Sequence, residues 1–270
     1  MSAPVFLAES GVEHVVAGDR YVLDGAEGRH AGVVQRKGRG ERVDVVDGDG
    51  LRLRCVVEDA DAGRVTLLVQ EVAVDPAPGV VVTLVQALAK GDRDEMAIEA
   101  ATEVGVDAVV PWQAERSVVV WRGERAAKSR ARWLGTVRTA TKQARRARLP
   151  RVELPVDSRG LAERVGQVVA AGGRAIVLHE EATTALADVP LPAPRRGQEP
   201  GAADAGPGGA PQVLVVVGPE GGISESELAA FTAAGAVAAR LGPHVLRTST
   251  AGPVAIALLA QRLGRWGVED

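Results

Sequence analysis

The 270-residue sequence has few of the residues that build covalent or metal-based sites. Its one cysteine, Cys55, excludes an internal disulfide and leaves too few thiolates for a cysteine-based zinc site. Its four histidines are scattered at positions 14, 30, 179 and 244, without the spacing of metal ligands. We therefore expect a protein that holds no metal.

Long apolar runs are also missing. The longest fall well short of a membrane span, and the N-terminus has no signal-peptide pattern. Hydrophobic residues make up 46% of the chain and charged residues 25%, which is typical of a soluble globular protein with a packed core. The length suggests one large or two modest domains. We expect a cytoplasmic protein with no membrane contact.

Lysine is scarce, since only four of the 32 basic residues are Lys and the rest are Arg. The net charge of −3 gives no global sign of nucleic-acid binding, but the basic residues are unevenly distributed. From Arg116 to Arg151 there are twelve Lys or Arg and a single acid, Glu124, and this window contains Trp121 and Trp133. Arg suits phosphates and aromatic rings suit unstacked bases, so the window favours RNA binding over a merely solvated helix face.

The N-terminal part, residues 1–73, has the pattern of an all-β structure. Three strands joined by Asp/Gly turns are predicted between residues 42 and 72, and a small barrel would close them. The segment 75–79, DPAPG, is a stiff linker. We therefore place a β-barrel domain at 1–74 and a second domain at 79–270.

The second domain alternates strands with helices, which predicts a parallel sheet with helices on both faces. We predict strands at 81–89, 106–112, 152–156, 175–180, 213–217 and 236–242, and helices at 92–104, 124–147, 158–171, from 224 and at 250–264. Met96, Ile98, Ala101 and Val104 should form the apolar face of the first of these helices. The Pro/Gly/Ala-rich segment 191–211 breaks the rhythm and is predicted to be a disordered surface insertion.

Three segments of the second domain could carry chemistry: 89–107, 216–228 and 239–259. Two of them place Gly-Pro directly after a buried strand, at Gly218-Pro219 and Gly242-Pro243. Both glycines allow positive φ and a close approach of a ligand to the backbone. Ligands of open α/β sheets bind at the carboxyl ends of the strands. Such turns offer backbone groups, and they suit an adenine or adenosine better than a triphosphate.

These segments resemble the signature motifs of the RsmE family, the 16S ribosomal RNA uridine-N3 methyltransferases of the SPOUT class. The matching residues are Lys90 to Arg93 with Ala101 to Gly105, then Gly218 to Gly222, then Leu241-Gly242 with Leu246 to Thr248 and Thr250-Ala251. A further match covers Gln143, Arg146, Arg148 and Pro150. The resemblance covers nearly the whole chain except 191–211.

The resemblance implies a fold, a cofactor and partners. The second domain would be a SPOUT-type trefoil-knotted α/β domain, preceded by a small PUA-like RNA-binding β-barrel. S-adenosylmethionine (SAM) would bind in the knot, largely through backbone groups. The substrate would be 16S rRNA in the small ribosomal subunit, and the enzyme would be a homodimer whose active site uses both subunits.

Site residues follow from the matching positions. Arg247 and Arg93 are candidates for holding a phosphate or a uracil oxygen, and Glu220 either acts as the base or, as we favour, ties its loop by accepting N–H bonds. SAM would be bound by Leu178, His179, Gly218, Pro219, Glu220, Gly221, Ile223, Leu241, Gly242, Leu246, Arg247, Thr248 and Ala251. RNA would be bound by His30, Arg36, Lys37, Arg93, Arg116, Gln143, Arg146 and Arg148.

The sequence departs from the family pattern at Ser249 and Lys142, where the family often has Glu. If either acid were the essential base, this protein would need a substitute. Two other functions stay open at this point, and only the second is supported by these departures. One is a SPOUT methyltransferase that acts on tRNA or on a ribose 2′-hydroxyl. The other is a non-catalytic RNA-binding factor of ribosome assembly.

Overall fold

The computed structural model of the chain describes residues 3–8, 10–61, 63–195 and 209–267. It divides into two compact units. The N-terminal unit comprises Met1–Ala77 together with Thr141–Leu149, and the C-terminal unit comprises Pro78–Ala140 together with Pro150–Asp270. Most of the predicted insertion at 191–211 lies outside the described residues.

The N-terminal unit is built on a sheet with the strand order β1-β3-β4-β5-β2. Its strands are β1 (Val5–Leu7), β2 (Arg20–Leu23), β3 (Arg42–Val46), β4 (Leu51–Asp61) and β5 (Arg64–Val74). The predicted three-stranded antiparallel meander is confirmed as β3, β4 and β5. Asp47 closes its first turn, because one carboxylate oxygen accepts the N–H groups of residues 49, 50 and 51.

The all-β prediction for residues 1–73 is wrong at residues 25–34. This segment forms a short helix α1 (Gly25–Arg29) that continues into a π-helical turn, His30–Val34. Gly28 shows why the helix can pack here, since a Cβ at this position would lie 2.4 Å from the Gly63 carbonyl oxygen and 2.5 Å from that of Leu23. Only glycine lets the backbones approach this closely.

The C-terminal unit contains a parallel sheet with the order β12-β10-β11-β6-β7-β8, and β9 also pairs with β7. The strands are β6 (Val81–Ala87), β7 (Ala108–Gln113), β8 (Arg151–Val152), β9 (Val156–Asp157), β10 (Arg174–Leu178), β11 (Gln212–Val217) and β12 (Val237–Ala239). The helices are α2 (Arg93–Glu103), α3 (Glu124–Gln143), α4 (Ser158–Ala170), α5 (Glu225–Ala233) and α6 (Thr248–Arg262). The predicted α/β fold with a parallel sheet is confirmed.

Helices cover both faces of this sheet. Alternate strand residues such as Val85 and Val216 pack with Leu161 of α4 and Phe231 of α5 on one face. On the other face α6 comes so close that a Cβ at Gly252 would lie 2.9 Å from the Leu84 side chain. Burial on both faces explains why β6 and β11 read as continuous apolar runs rather than as alternating ones.

Several predicted boundaries in this unit need correction. Helix α3 ends at Gln143 rather than at residue 147, because the chain turns through a left-handed conformation at Arg145, with φ of 56°. The strand predicted at 152–156 is two separate two-residue strands, and the last strand spans only Val237–Ala239. Met96, expected on the buried face of α2, is 57% exposed, whereas Ile98 and Ala101 are buried as predicted.

Among the described residues, no helix is both long and apolar enough to cross a membrane. The same part of the chain brings no three His, Cys, Asp or Glu residues together in a group that could hold a metal ion.

Candidate active site

The carboxyl ends of three neighbouring strands form one edge of the parallel sheet. Strand β10 ends at Leu178, β11 at Val217 and β12 at Ala239, and each is followed by a turn. These turns and the start of α6 enclose a cleft of about 710 Å³, which we call the wide cleft. A narrower cleft of about 120 Å³ adjoins it, and Leu178, His179 and Ala251 line both.

All of the residues predicted to bind the cofactor line these two clefts. Leu241 and Gly242 line the narrow cleft, while Gly218 to Gly221, Ile223, Arg247 and Thr248 line the wide one. Leu246 lines both. These residues come from three separate segments of the sequence, and the sheet topology brings them together at the edge where α/β proteins bind ligands.

The turn after β11 is shaped by its glycines, though not in the predicted way. Positive φ occurs at Gly222, at 75°, and not at Gly218 or Gly242. Gly218 is required for a steric reason instead, because a Cβ there would lie 2.7 Å from the Ile223 side chain. The three glycines of this turn, Gly218, Gly221 and Gly222, leave their backbone groups accessible to a ligand.

Glu220 bridges this turn and the loop that precedes α2. Its Oε1 accepts the backbone N–H of Lys90 at 3.2 Å and the Arg93 guanidinium at 2.7 Å. Partial burial alone would raise the pKa of Glu220, but hydrogen bonds from its own backbone N–H, from Arg93 and from Lys90 outweigh it and lower the pKa below the ordinary value. A carboxylate with a lowered pKa is a weak base, which favours a structural role.

Three arginines line the wide cleft: Arg93, Arg116 and Arg247. Arg93 is paired with Glu220, and Arg116 donates from Nη1 to the Gly221 carbonyl at 3.2 Å. Arg247 is the exposed N-cap residue of α6. All three can present positive charge to an anionic group in the cleft. Arg93 and Arg116 also hold the turn after β11 in place, and we call this turn, residues 218–222, the glycine turn.

Sequence reasoning missed Glu227 as a residue that organises the site. The residue is buried, with 4% of its surface exposed. Oε1 accepts the Glu115 backbone N–H at 2.7 Å and the Ser158 hydroxyl at 2.5 Å, and Oε2 accepts the Ser224 backbone N–H at 2.9 Å. Glu227 thus joins the start of α5 to the residues after β7 and to the start of α4. The Ser-x-x-Glu capping box at 224–227 was the available signal.

Gln86 is the second missed residue. It is completely buried near the carboxyl end of β6, and its Nε2 donates to the Thr248 hydroxyl at 2.9 Å. The Thr248 hydroxyl in turn donates to the Gly218 carbonyl at 2.8 Å. The signal was an amide side chain inside the otherwise largely apolar run of residues 80–89.

Six of the predicted RNA-binding residues lie in the N-terminal unit. His30 begins the π-helical turn and has a nitrogen 3.0 Å from the Gln35 amide, and Lys37 pairs with Glu41 at 3.4 Å. Arg148 donates to the carbonyls of Asp75 and Pro76, at 2.8 and 3.1 Å. Arg36 and Gln143 are exposed and Arg146 is partly buried.

Lys142, one of the two departures from the family pattern, has a defined structural partner. Its Nζ lies 2.8 Å from Oε1 of Glu27, both side chains are largely buried, and the ammonium lies 5.8 Å from the centre of the Phe6 ring. Glu27 also accepts the Leu7 backbone N–H. Lys142 therefore anchors the segment 141–149 within the N-terminal unit.

The expectation that Trp121 and Trp133 could stack on RNA bases is wrong. Trp133 is completely buried and Trp121 is 9% exposed, because the two rings pack edge to face with centroids 5.2 Å apart. Part of the basic window is also structural, since Arg130 donates to the backbone carbonyls of Val152 and Glu153.

Known RNA methyltransferases resemble this chain in sequence. A family model described as an RNA methyltransferase domain matches residues 76–260. Ribosomal RNA small subunit methyltransferase E from Mycobacterium bovis is 46% identical over 245 residues, which cover 91% of this chain and 87% of the relative.

Two solved structures extend the likeness to the fold. Ribosomal RNA small subunit methyltransferase E from Neisseria gonorrhoeae, bound to S-adenosyl methionine, has a TM-score of 0.80 at 25% identity over 97% of this chain and 98% of that one. A putative methyltransferase from Legionella pneumophila, also with bound SAM, has a TM-score of 0.77 at 27% identity, with coverages of 97% and 98%. The chain therefore belongs to the RNA methyltransferase family, among the relatives of ribosomal RNA small subunit methyltransferase E, as its motifs predicted.

Proposed function

We propose that the chain is a SAM-dependent methyltransferase of small-subunit ribosomal RNA, and that it methylates N3 of a uridine. The observation that carries the proposal is the convergence of the three motif segments on the wide and narrow clefts. The relationship to methyltransferase E from Mycobacterium bovis supports the substrate class. The choice of uridine N3 rests on the resemblance of the motifs.

The clefts have the chemistry that SAM requires. Their combined space is in the range that holds ligands of this size. Leu178, Ile223 and Leu246 offer an apolar wall for an adenine ring, and the glycine turn offers backbone groups for its polar edge. Glu180 and Glu181 line the same cleft and can balance the positive charges of the amino acid and sulfonium groups.

When bound, SAM supplies a methyl carbon that is activated by its positively charged sulfur. The chain's own residues must then orient the uracil and stabilise the negative charge that spreads onto its oxygens as N3 loses its proton. Arg247 is the best placed for this, since it is exposed at the cleft and its backbone is fixed as the N-cap of α6. Arg93 is the second candidate, although it is paired with Glu220.

Glu220 serves in this proposal as a tether and not as the base. Its carboxylate accepts N–H groups from Lys90, in the loop before α2, and from Arg93, the first residue of α2, and its lowered pKa makes proton capture near neutrality unfavourable. Correct placement of the reacting groups can supply a large part of the rate without a strong base.

The remaining expectations from the motifs belong to the same proposal. We infer a trefoil knot of the SPOUT type in the C-terminal unit, a PUA-like RNA-binding role for the N-terminal unit, a homodimer and a cytoplasmic location. The domain limits along the sequence would be 1–74 and 79–270, with residues 141–149 of the second segment packed within the N-terminal unit. His30, Arg36, Lys37, Gln143, Arg146 and Arg148 would contact RNA on the N-terminal unit, and Arg93 and Arg116 on the C-terminal unit. Lys142 gives no support to a non-catalytic assembly factor, because its ion pair with Glu27 accounts for the residue.

The test is methyl transfer from labelled SAM to small ribosomal subunits taken from a strain that lacks this gene, followed by nucleoside analysis. The expected product is 3-methyluridine in 16S rRNA, and tRNA should stay unlabelled. The rate of methyl transfer should be at least tenfold lower for Arg247→Met. A product on tRNA or on a ribose hydroxyl would overturn the proposed substrate. SAM binding without any transfer would overturn the enzymatic function.

A further inference from the structure

Three segments of the C-terminal unit are joined by a chain of two hydrogen bonds, one buried and one partly buried. Gln86 near the end of β6 donates to the Thr248 hydroxyl at 2.9 Å, and this hydroxyl donates to the Gly218 carbonyl at 2.8 Å. Gln86 is completely buried and Thr248 is 8% exposed. We call this chain of residues, Gln86–Thr248–Gly218, the relay.

The direction of the relay follows from counting protons. A threonine hydroxyl carries one proton, and the Gly218 carbonyl can only accept, so the Thr248 proton must point to Gly218. The Thr248 oxygen must therefore accept from Gln86, which requires the amide nitrogen and not the amide oxygen on that side. Gln86 Nε2 also lies 3.3 Å from the Ala87 carbonyl, another acceptor. A carboxylate at position 86 could not replace this donor.

The relay connects two walls of the wide cleft. Gly218 begins the glycine turn on one wall, and Thr248 begins α6, directly after Arg247, on the other. Because Gln86 lies in a central strand of the sheet, between β11 and β7, it provides a rigid reference for both.

We propose that Gln86 is a positioning residue for SAM binding: it holds Thr248 against Gly218 and so fixes the distance between the glycine turn and the start of α6. This inference rests on the proposed function. Gln86 does not line the cleft, and it would contribute to SAM affinity only through the residues that it holds in place.

The same two strands contain a natural control. At their other ends, Gln212 of β11 donates from Nε2 to the buried Thr83 hydroxyl of β6 at 2.8 Å. This pair has the same chemistry as Gln86 and Thr248, but it lies at the amino ends of the strands, away from the clefts. Thr83→Val therefore removes a comparable hydrogen bond without touching the site.

The experiment measures the dissociation constant for SAM by calorimetry on the full chain. We expect Gln86→Glu, Gln86→Met and Thr248→Val to weaken SAM binding at least tenfold, and Gln86→Met combined with Thr248→Val to be little weaker than either alone. Thr248→Ser keeps the hydroxyl and should bind within threefold of the unsubstituted chain. Thr83→Val should lower the melting temperature and leave SAM affinity unchanged.

Two results would overturn the inference: SAM binding within twofold of the unsubstituted chain in Gln86→Met and Thr248→Val, or an equal loss in Thr83→Val. If the unsubstituted chain itself binds no SAM, the proposed function fails and not the relay. Amide hydrogen exchange of residues 218–223 then decides about the relay. Exchange should be faster in Gln86→Met and Thr248→Val than in Thr83→Val, and equal rates in all three would overturn it.

Discussion

Replacing Glu227 by glutamine should destabilise the C-terminal unit without leaving a cavity. Glutamine has the shape of glutamate but only one oxygen, whereas the two carboxylate oxygens of Glu227 accept the backbone N–H groups of Glu115 and Ser224 and the Ser158 hydroxyl. At least one of these N–H groups would then face an amide N–H₂. The residue is 4% exposed, so water cannot easily replace the lost acceptor.

The expected magnitude follows from this geometry. A buried donor left without a partner costs about 1–3 kcal/mol, and hydrogen bonds to a charged group contribute about 1.5–3 kcal/mol each. The free energy of unfolding should therefore fall by roughly 2–4 kcal/mol for Glu227→Gln. For a chain of this size the melting temperature should fall on the order of 10 °C.

The assay is denaturant-induced unfolding followed by tryptophan fluorescence. Trp112 is a suitable reporter, since its Nε1 donates to the same Ser158 hydroxyl that donates to Glu227. Glu225→Gln is the matched control, because Glu225 lies on the same helix turn but is exposed. The free energy of unfolding should fall by less than about 1 kcal/mol for Glu225→Gln, as expected for the removal of an acid near a helix N-terminus. A cost for Glu227→Gln within about 0.5 kcal/mol of the control value would refute the assignment of Glu227 as the organising residue.

Three further predictions concern the other charged and nucleophilic groups. Lys142→Glu should place two carboxylates together beside Glu27 and cost about 3–5 kcal/mol, measurable by thermal melting, whereas the exchanged pair Glu27→Lys with Lys142→Glu should recover most of it. Cys55 should resist iodoacetamide at pH 8 until the chain is unfolded, because burial and the nearby Asp44 charge raise its pKa to about 12. Glu220→Gln should weaken SAM binding but leave the acid limb of the pH–rate profile unchanged. The lowered pKa keeps Glu220 ionised above the ordinary value of 4.5, so its tie to the loop before α2 is lost only as the pH falls further; disappearance of the acid limb would instead identify Glu220 as the base.

The parallel sheet could be predicted because its strands are buried on both faces and therefore appear as uninterrupted apolar runs. The helical structure of residues 25–34 could not be predicted, because Gly28 and Ala31 carry too little side chain to show helical periodicity. The end of α3 could not be predicted from the sequence either. A positive φ at a non-glycine residue, as at Arg145, leaves no mark in the sequence, and Pro150 was the first visible stop signal.

The residues that line the clefts could also be predicted from strand ends in the sequence. Gly-Pro after a buried strand marks a turn at the carboxyl edge of a sheet, so two such turns indicated where the site is. The residues that hold those turns in place were less visible. Gln86 and Glu227 do not repeat with any helix or strand period, and each contacts partners more than 60 positions away in the sequence.

The structure also gives both departures from the family pattern a local physical meaning. Lys142 is satisfied by Glu27 inside the N-terminal unit. Ser249 lies in the first turn of α6, where an acid stabilises a helix through the N-terminal partial charge and where serine is also well tolerated. A glutamate at position 249 would therefore have a structural reason to exist that is independent of proton transfer, and the lysine at position 142 has a structural reason of its own. Replacing that glutamate does not by itself remove a catalytic group, and the three arginines that line the wide cleft remain. The chemistry proposed here depends on how firmly the glycine turn and the start of α6 hold the reactants together, and this is the property that we propose Gln86 and Thr248 control.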